Sequence, residues 1–527
     1  VGDKGQARKS TTIISPCDVG FEHVRRATMA DAAASFRCSS IWEVCAFRPE
    51  HRGRAKRNNF VHSLRPVSEN EFNPTIGSRL LISASRQRGL MDGSLLDVRL
   101  GELVVAHGVP GAQFAVHHSG ETWTWTYGVT RVGSGAAMTD DAPVPLGSVT
   151  KTATAAAALV LVADGDLALD EPMAEYLPEA RELPAALRDR VTLRHVLNHT
   201  GGLPCDPTEA RATTARRHVL DCCRTARPLA VPGGVFSYSN IGYLLAGHAL
   251  TTVTGMSWWE AVDSLLLTPL GLTARFVTGE RVPTDLVSGH SVHRRHGTAR
   301  PVVQSLSPVE APAGALAASA VDLVRLGRAL LEDDDLIGAD LRREMTAATP
   351  GIEPFGLADG WGLGLACYGP GSTTVGHDGN GDGTSCHLRM NTATGTVVAL
   401  TANAGSGFTL WRELAPQLPA LGIPVGDYDP LAVDGQPVAP PAQCVGEYSN
   451  GDVDYLVMPC EAGGLRLTVD SEPFADLTLY RGFRFAMRDC DTGEVDQAGR
   501  FVPDSAGRVA GLQVGGRLAR KQLERVS

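Results

Sequence analysis

Ser148-Val149-Thr150-Lys151 puts a hydroxyl and an amine on one face of a helix, where positions i and i+3 are neighbours. A serine hydroxyl is a poor nucleophile at neutral pH and needs a base beside it. Lysine serves as that base only when burial or cationic neighbours keep it neutral, and the alanine-rich stretch from Ala153 to Ala158 would bury Lys151. A serine at a helix N-terminus also offers its backbone N–H to a developing oxyanion. Further along, Tyr238-Ser239-Asn240 supplies a phenol able to relay a proton and a carboxamide able to donate to a substrate carbonyl and to Lys151. His377-Asp378-Gly379-Asn380-Gly381-Asp382-Gly383 sets an imidazole among glycines, which let a backbone approach a substrate closely. There the Asn380 N–H is the expected second oxyanion donor, and His377 an electrostatic or proton-relay group.

Taken singly, each group has a plainer reading. These are a surface lysine, a core tyrosine with a helix-capping asparagine, and a glycine turn. A calcium loop at 377–383 lacks the twelve-residue ligand pattern and its terminal glutamate. In this order and together, the three groups describe a serine acyl-transfer site.

The elements that must position them follow from periodicity. Gly111 to Thr130 reads as two strands around a His118-Ser119-Gly120 turn, with Trp123, Trp125 and Tyr127 alternating on one face. Helices are expected at Ser148–Ala163, Ile241–Val253, Trp258–Leu267 and Ala320–Leu331, and Leu193–Leu197 runs into a helix end and turn at His199-Thr200-Gly201-Gly202. Strands are expected at Gly362–Tyr368, Ser385–Met390 and Thr396–Ala402. The segment 377–383 reads as a turn before a strand. Beyond a Pro/Gly-rich connector, short alternating segments at Gly464–Val469, Phe483–Met487, Gly499–Val502 and Val509–Val514 form an all-β pattern.

The bulk numbers narrow the class. A chain of 527 residues with 43% hydrophobic and 20% charged residues fits a soluble globular protein of two or three domains. A net charge of −10 argues against nucleic acid as the main partner. Residues 1–90, with fifteen Lys+Arg against eight Asp+Glu, read as a basic disordered extension, and Met91 as an alternative start. No apolar run is long enough for a membrane span. Neither Val1 nor Met91 opens an export signal, so the expected location is the cytoplasm. The eleven cysteines include no C-x-x-C pair and no zinc spacing, which suits reduced thiols.

The three groups and their surroundings resemble the class C β-lactamase and penicillin-binding-protein family of serine enzymes. Leu193 to Pro204, Pro232-Gly233 through Phe236, Tyr238 to Tyr243, Pro269-Leu270-Gly271-Leu272, Ala313-Gly314-Ala315-Leu316 and Trp361-Gly362-Leu363-Gly364 are similar to that family too. The resemblance covers about residues 95–425. The end of the chain, with Gly499-Arg500-Phe501 and Gly515-Gly516-Arg517, resembles the lipocalin-like barrel that often follows such a domain. The resemblance implies an α+β fold, an antiparallel sheet flanked by helices with an all-α subdomain. It divides the chain into the extension 1–90, a catalytic domain 91–428, a linker 429–443 and a β domain 444–527.

By the same resemblance Ser148 is the nucleophile and Lys151 the base. Tyr238 and His377 complete the catalytic set, while Asn240, Gly379 and Asn380 bind substrate, without cofactor or metal. His377 stands where secreted β-lactamases commonly carry lysine. Histidine there is usual in the esterase, D-aminopeptidase and peptide-cyclase branches, so classical lactamase activity is not expected. The expected reaction is hydrolysis of an ester or amide through an acyl-Ser148 intermediate. The alternative is a transacylase or thioesterase that forms an amide, with ring closure among its outcomes, from a small-molecule, peptidyl or carrier-bound donor. A non-catalytic binding module and nucleic-acid binding through residues 1–90 are the remaining readings. Neither nucleic acid nor membrane is an expected partner.

Overall fold

The computed structural model describes residues 93–522, apart from 208–213, 279–282, 294–296, 305, 370, 372, 432–434, 461–462 and 491. The readings of residues 1–90 and Met91 lie outside the described residues. Seven antiparallel strands form the central sheet: β1 (Gly111–His118), β2 (Glu121–Gly128), β3 (Gly360–Trp361), β4 (Ala366–Tyr368), β5 (Thr374–Gly379), β6 (Ser385–Asn391) and β7 (Thr396–Ala402). Their order across the sheet is β2-β1-β7-β6-β5-β4-β3. Period-two alternation sends Phe114, Val116, Val398 and Leu400 to one face and Ala115, Leu388, Met390, Val397 and Ala399 to the other. The first face is covered by α1 (Gly93–Ala106) and α8 (Gly407–Leu414).

The second face carries the helical region, which includes α2 (Thr150–Ala163), α3 (Leu193–Leu197), α4 (Ala215–Thr225), α5 (Asn240–Thr254), α6 (Ala320–Glu332) and α7 (Asp334–Thr346). Small Ala and Thr side chains let α2 be buried on every side from Thr150 to Leu159. Its threonines donate outward, Thr152 Oγ1 to Gly364 O at 3.1 Å and Thr154 Oγ1 to Pro312 O at 2.8 Å.

A closed barrel of eight antiparallel strands follows, β8 (Gly446–Asn450) through β15 (Arg517–Lys521), with β8 pairing back to β15. Tyr448, Phe485, Phe501 and Leu512 fill its interior. The hairpin between β14 (Val509–Val514) and β15 docks on the helical region. There the Tyr238 N–H donates to Gly516 O at 2.9 Å, the Leu518 N–H to Ser237 Oγ at 3.2 Å and Gln513 Nε2 to Phe236 O at 3.1 Å. Among the described residues no helix is long and apolar enough to cross a membrane.

Four expectations change. Ser148 lies in a 3-10 turn, Gly147–Val149, ahead of α2 rather than inside it. The strand expected at Gly362–Tyr368 shortens to β4, Ala366–Tyr368, because Gly364 turns at φ +80° and packs where a Cβ would stand 2.3 Å from Ala155 Cβ. His377 to Gly379 belong to β5 itself, and the turn begins only after them. The helix expected over Trp258–Leu267 ends in a π-helical turn, Asp263–Leu267.

Candidate active site

The chain reaches Ser148 through a backbone that only glycine permits. Gly147 takes φ +52°, and a Cβ on it would stand 2.1 Å from Asn380 O. From the other side, a Cβ on Gly379 would lie 3.0 Å from Ser148 N and 2.8 Å from Val149 N. β5 and the Ser148 turn therefore meet backbone to backbone, which brings Asn380 beside Ser148. Ser148 is half-buried.

Lys151 follows one helical turn later and is fully buried. Its Nζ lies 3.0 Å from Ser148 Oγ and donates to Ala313 O at 2.7 Å. Burial pushes the Lys151 ammonium down to about 7; Cys205 and Asp206 oppose the shift and Arg517 adds to it. A neutral amine is thus populated at physiological pH, within hydrogen-bond reach of the serine hydroxyl.

Tyr238 is held on three sides. Its ring stacks on His199 at 4.2 Å, Lys151 Nζ lies 5.2 Å from its centroid, and the Arg517 guanidinium 5.3 Å. Burial raises the pKa of its hydroxyl, with Ser148 working against the rise, so it stays a phenol. His199, at the left-handed end of α3 (φ +59°), accepts from the Ser239 N–H at 3.0 Å through Nδ1. Trp361 closes the wall, 5.1 Å from His199 and 5.4 Å from His377 between ring centroids.

His377 completes the group. Its Nδ1 donates to Asp378 O at 2.6 Å, and since a carbonyl only accepts, Nε2 is left as the acceptor. Nε2 is buried without a hydrogen-bond partner among the described residues. Burial, and then the nearby Lys151, push the imidazole down to about 4, so His377 is neutral at pH 7.

The structure therefore brings Ser148, Lys151, Tyr238, His377, Gly379 and Asn380 into one cluster. Asn240 differs from expectation. Its Nδ2 donates to Asp206 Oδ1 at 2.5 Å, not to Lys151, and Ser239 rather than Asn240 caps α5 through the Gly242 N–H. Sequence reasoning missed His199, whose motif was read only as a helix end. It also missed Arg517, which reaches the site from the barrel, bonding Cys205 Sγ at 3.0 Å through Nε. Among the described residues no group of three or more His, Cys, Asp or Glu side chains is placed to hold a metal ion.

Residues 90–418 match the family described as Beta-lactamase. A penicillin-binding protein 4 from Amycolatopsis lactamdurans is 32% identical over 363 residues, which cover 65% of this chain and 95% of that protein. The crystal structure of SurE superposes with a TM-score of 0.73 at 37% identity, covering 81% of this chain and 98% of that one. A structure of SurE with D-Leu gives 0.71 at the same identity, covering 81% and 99%. A D-amino acid amidase from Ochrobactrum anthropi SV3, complexed with L-phenylalanine, gives 0.51 at 26% identity, covering 59% of this chain and 91% of that one.

Proposed function

The chain belongs to the beta-lactamase family, whose members include serine hydrolases and acyl-transfer enzymes, and from that premise we propose an acyl-Ser148 enzyme that takes a D-configured donor and passes its acyl group to an amine. The observation that carries the proposal is the buried Lys151 amine, 3.0 Å from Ser148 Oγ, with its pKa near 7. Lys151 takes the serine proton as Oγ attacks the donor carbonyl. The tetrahedral oxyanion settles against the Ser148 and Asn380 N–H groups. Tyr238 passes a proton to the leaving group, the carbonyl re-forms and the leaving group departs, which leaves the ester on Ser148. An amine then attacks that ester and gives its proton to the Tyr238 oxygen, the acyl–Oγ bond breaks as the amide forms, and Ser148 recovers its proton from Lys151.

D-configuration is supported by the names of two neighbours, SurE with D-Leu and the D-amino acid amidase. An amine acceptor is supported by the site's walls. Trp361 and Tyr238 flank a neutral imidazole whose open nitrogen accepts an N–H, where a lysine would only donate. Holding that N–H favours an ordered amine over water. When the amine is the donor's own terminus, the product is a ring. Arg517 gives the site a permanent positive charge, a counter-ion for a carboxylate on either reactant. The second reading is hydrolysis, which the amidase neighbour favours.

The test uses the full chain with thioesters of N-acetyl-D-leucine and N-acetyl-L-leucine, with and without added amines, followed by intact mass and product analysis. The expected result is a D-selective acyl adduct, absent in Ser148→Ala, and amide product when amine is present. Release of free acid alone, at every amine concentration, would leave the hydrolase reading. No adduct with any donor, ester or amide, would end the proposal.

A further inference from the structure

His377 faces the site, so its neighbour Asp378 points to the opposite face of the sheet, into a group of charges that the proposed reaction does not touch. Cross-strand register places Asp378 opposite His387, and Gly376 opposite Arg389. Arg389 is buried to 1% exposure and grips Asp378 with both prongs, Nη1 to Oδ1 at 2.8 Å and Nη2 to Oδ2 at 3.1 Å. Its Nε and Nη2 also donate to Asp427 Oδ1, at 3.1 and 2.8 Å. The guanidinium lies 3.7 Å from the Tyr368 ring centroid. His387 Nδ1 adds a contact to Asp378 Oδ1 at 2.7 Å, and the Tyr368 hydroxyl donates to Oδ2 at 3.4 Å. Burial works against the Asp378 charge, yet Arg389 and His387 hold its carboxyl well below the usual carboxylate range.

The position of this cluster along β5 matters. β5 pairs with β6 over its whole length, Thr374 to Gly379, but with β4 only from Thr374 to Gly376. The last three residues, His377, Asp378 and Gly379, carry the site and have a ladder on one side only. Asp378 O holds the His377 Nδ1 proton, and Gly379 abuts the Ser148 turn. A carboxylate anchored beneath this end fixes the rotation of the strand, and with it the direction of His377 Nε2 and of the Asn380 N–H.

We propose that Arg389 is a positioning residue of the acyl-transfer site, acting through Asp378 to hold the half-paired end of β5 against the Ser148 turn. A planar fork is required, because a lysine cannot bridge two carboxylates while lying flat on Tyr368. The inference rests on Ser148 being the nucleophile.

The test compares Arg389→Lys and Asp427→Asn with the parent, all as full chains. Folding is followed by circular dichroism and Tm, active sites are counted by saturating fluorophosphonate labelling, and kcat and KM are measured for one thioester donor. Arg389→Lys should fold and label fully while kcat falls about 10- to 100-fold, with KM within about twofold. Asp427→Asn leaves the Asp378 fork in place and should slow kcat in the same direction by less. A kcat per labelled site equal to the parent's in both variants would overturn the inference, as would a loss confined to KM. Should Arg389→Lys fail to fold, an unchanged kcat in a folded Asp427→Asn overturns it alone. Labelling that persists in Ser148→Ala would instead strike the nucleophile assignment and is read separately.

Discussion

The two faces of β5 treat buried polar groups in opposite ways. On the site face, Lys151 is pushed down to about 7 and His377 is held neutral, and His377 Nε2, His199 Nε2, Trp361 Nε1 and Asn380 Oδ1 are buried without hydrogen-bond partners among the described residues. On the other face, Asp378 and Arg389 stay charged, bonded to each other and flanked by His387, Tyr368 and Asp427. Unsatisfied buried polar atoms are costly, and satisfied networks are rigid. The difference separates the two tasks of a strand that carries chemistry. One face keeps acceptors and donors in reserve for a substrate, and the other fixes where they point.

Lys151→Met tests the site face most severely. Removing the base should lower the acylation rate about 1,000-fold, read as the rate of adduct formation by mass spectrometry. The same change should stabilise the protein, since a buried amine held below its ordinary pKa costs folding energy. The sign is definite. In the unfolded chain the lysine keeps its usual pKa of 10.5, in the folded one about 7, so folding releases a proton between those values and the parent gains stability as pH rises across that window. The Tm advantage of Lys151→Met should therefore be greatest below about pH 7 and shrink toward pH 10.5. The parent's acylation rate should climb with pH through about 7, where Lys151 becomes neutral. An acid-side limb absent from the parent, or a Met variant less stable at pH 7, would break the comparison.

Asp378→Ala makes the opposite prediction on the opposite face. It strands the Arg389 guanidinium with one carboxylate, and loss of one partner from a buried pair costs about 3–5 kcal/mol. Chemical denaturation should show that loss. A variant as stable as the parent would mean that the back face is no clamp.

Tyr238→Phe sharpens the picture. Phenylalanine keeps the stack on His199 but loses the hydroxyl that interacts with Ser148. Turnover should fall about 100-fold with Tm unchanged. A fall in Tm comparable to that of Asp378→Ala would assign Tyr238 to the scaffold.

How much of this the sequence disclosed depends on how local each signal is. Ser148 and Lys151 were legible because an i, i+3 spacing survives in one turn of helix, and α2 because its alanine run has only one sensible fate. Strand β5 was not legible. Thr374-Val375-Gly376-His377-Asp378-Gly379 shows no apolar alternation, since one face carries chemistry and the other an ion cluster. Its strand character comes from pairing with β6, which propensity does not encode. The partner of Asn240 was not legible, because its Nδ2 bonds Asp206, a residue 34 positions away, and its rival reading as a helix cap falls instead to Ser239. Arg517 was legible only as part of the barrel's closing Gly515-Gly516-Arg517, and nothing local tied it to the site. Its role depends on how the barrel docks, through Gly516 O on the Tyr238 N–H.

That docking gives the smallest effect and the finest test. Arg517 is on the barrel, yet it belongs with the site face, and its Nε donates to Cys205 Sγ at 3.0 Å. Cys205→Ser keeps an acceptor, though on a shorter arm, and should alter kcat by no more than about threefold, within the net worth of one hydrogen bond. Cys205→Val removes the acceptor and leaves a buried guanidinium N–H unsatisfied, so it should cost about 1–3 kcal/mol of stability. It should also loosen Arg517 from the Tyr238 ring, seen as a larger drop in kcat than the serine variant shows. If serine and valine behave alike, Cys205 merely fills space, and Arg517 is positioned by its own hairpin. The site face then ends at Tyr238, and the barrel counts as a cover over it and no longer as part of its chemistry.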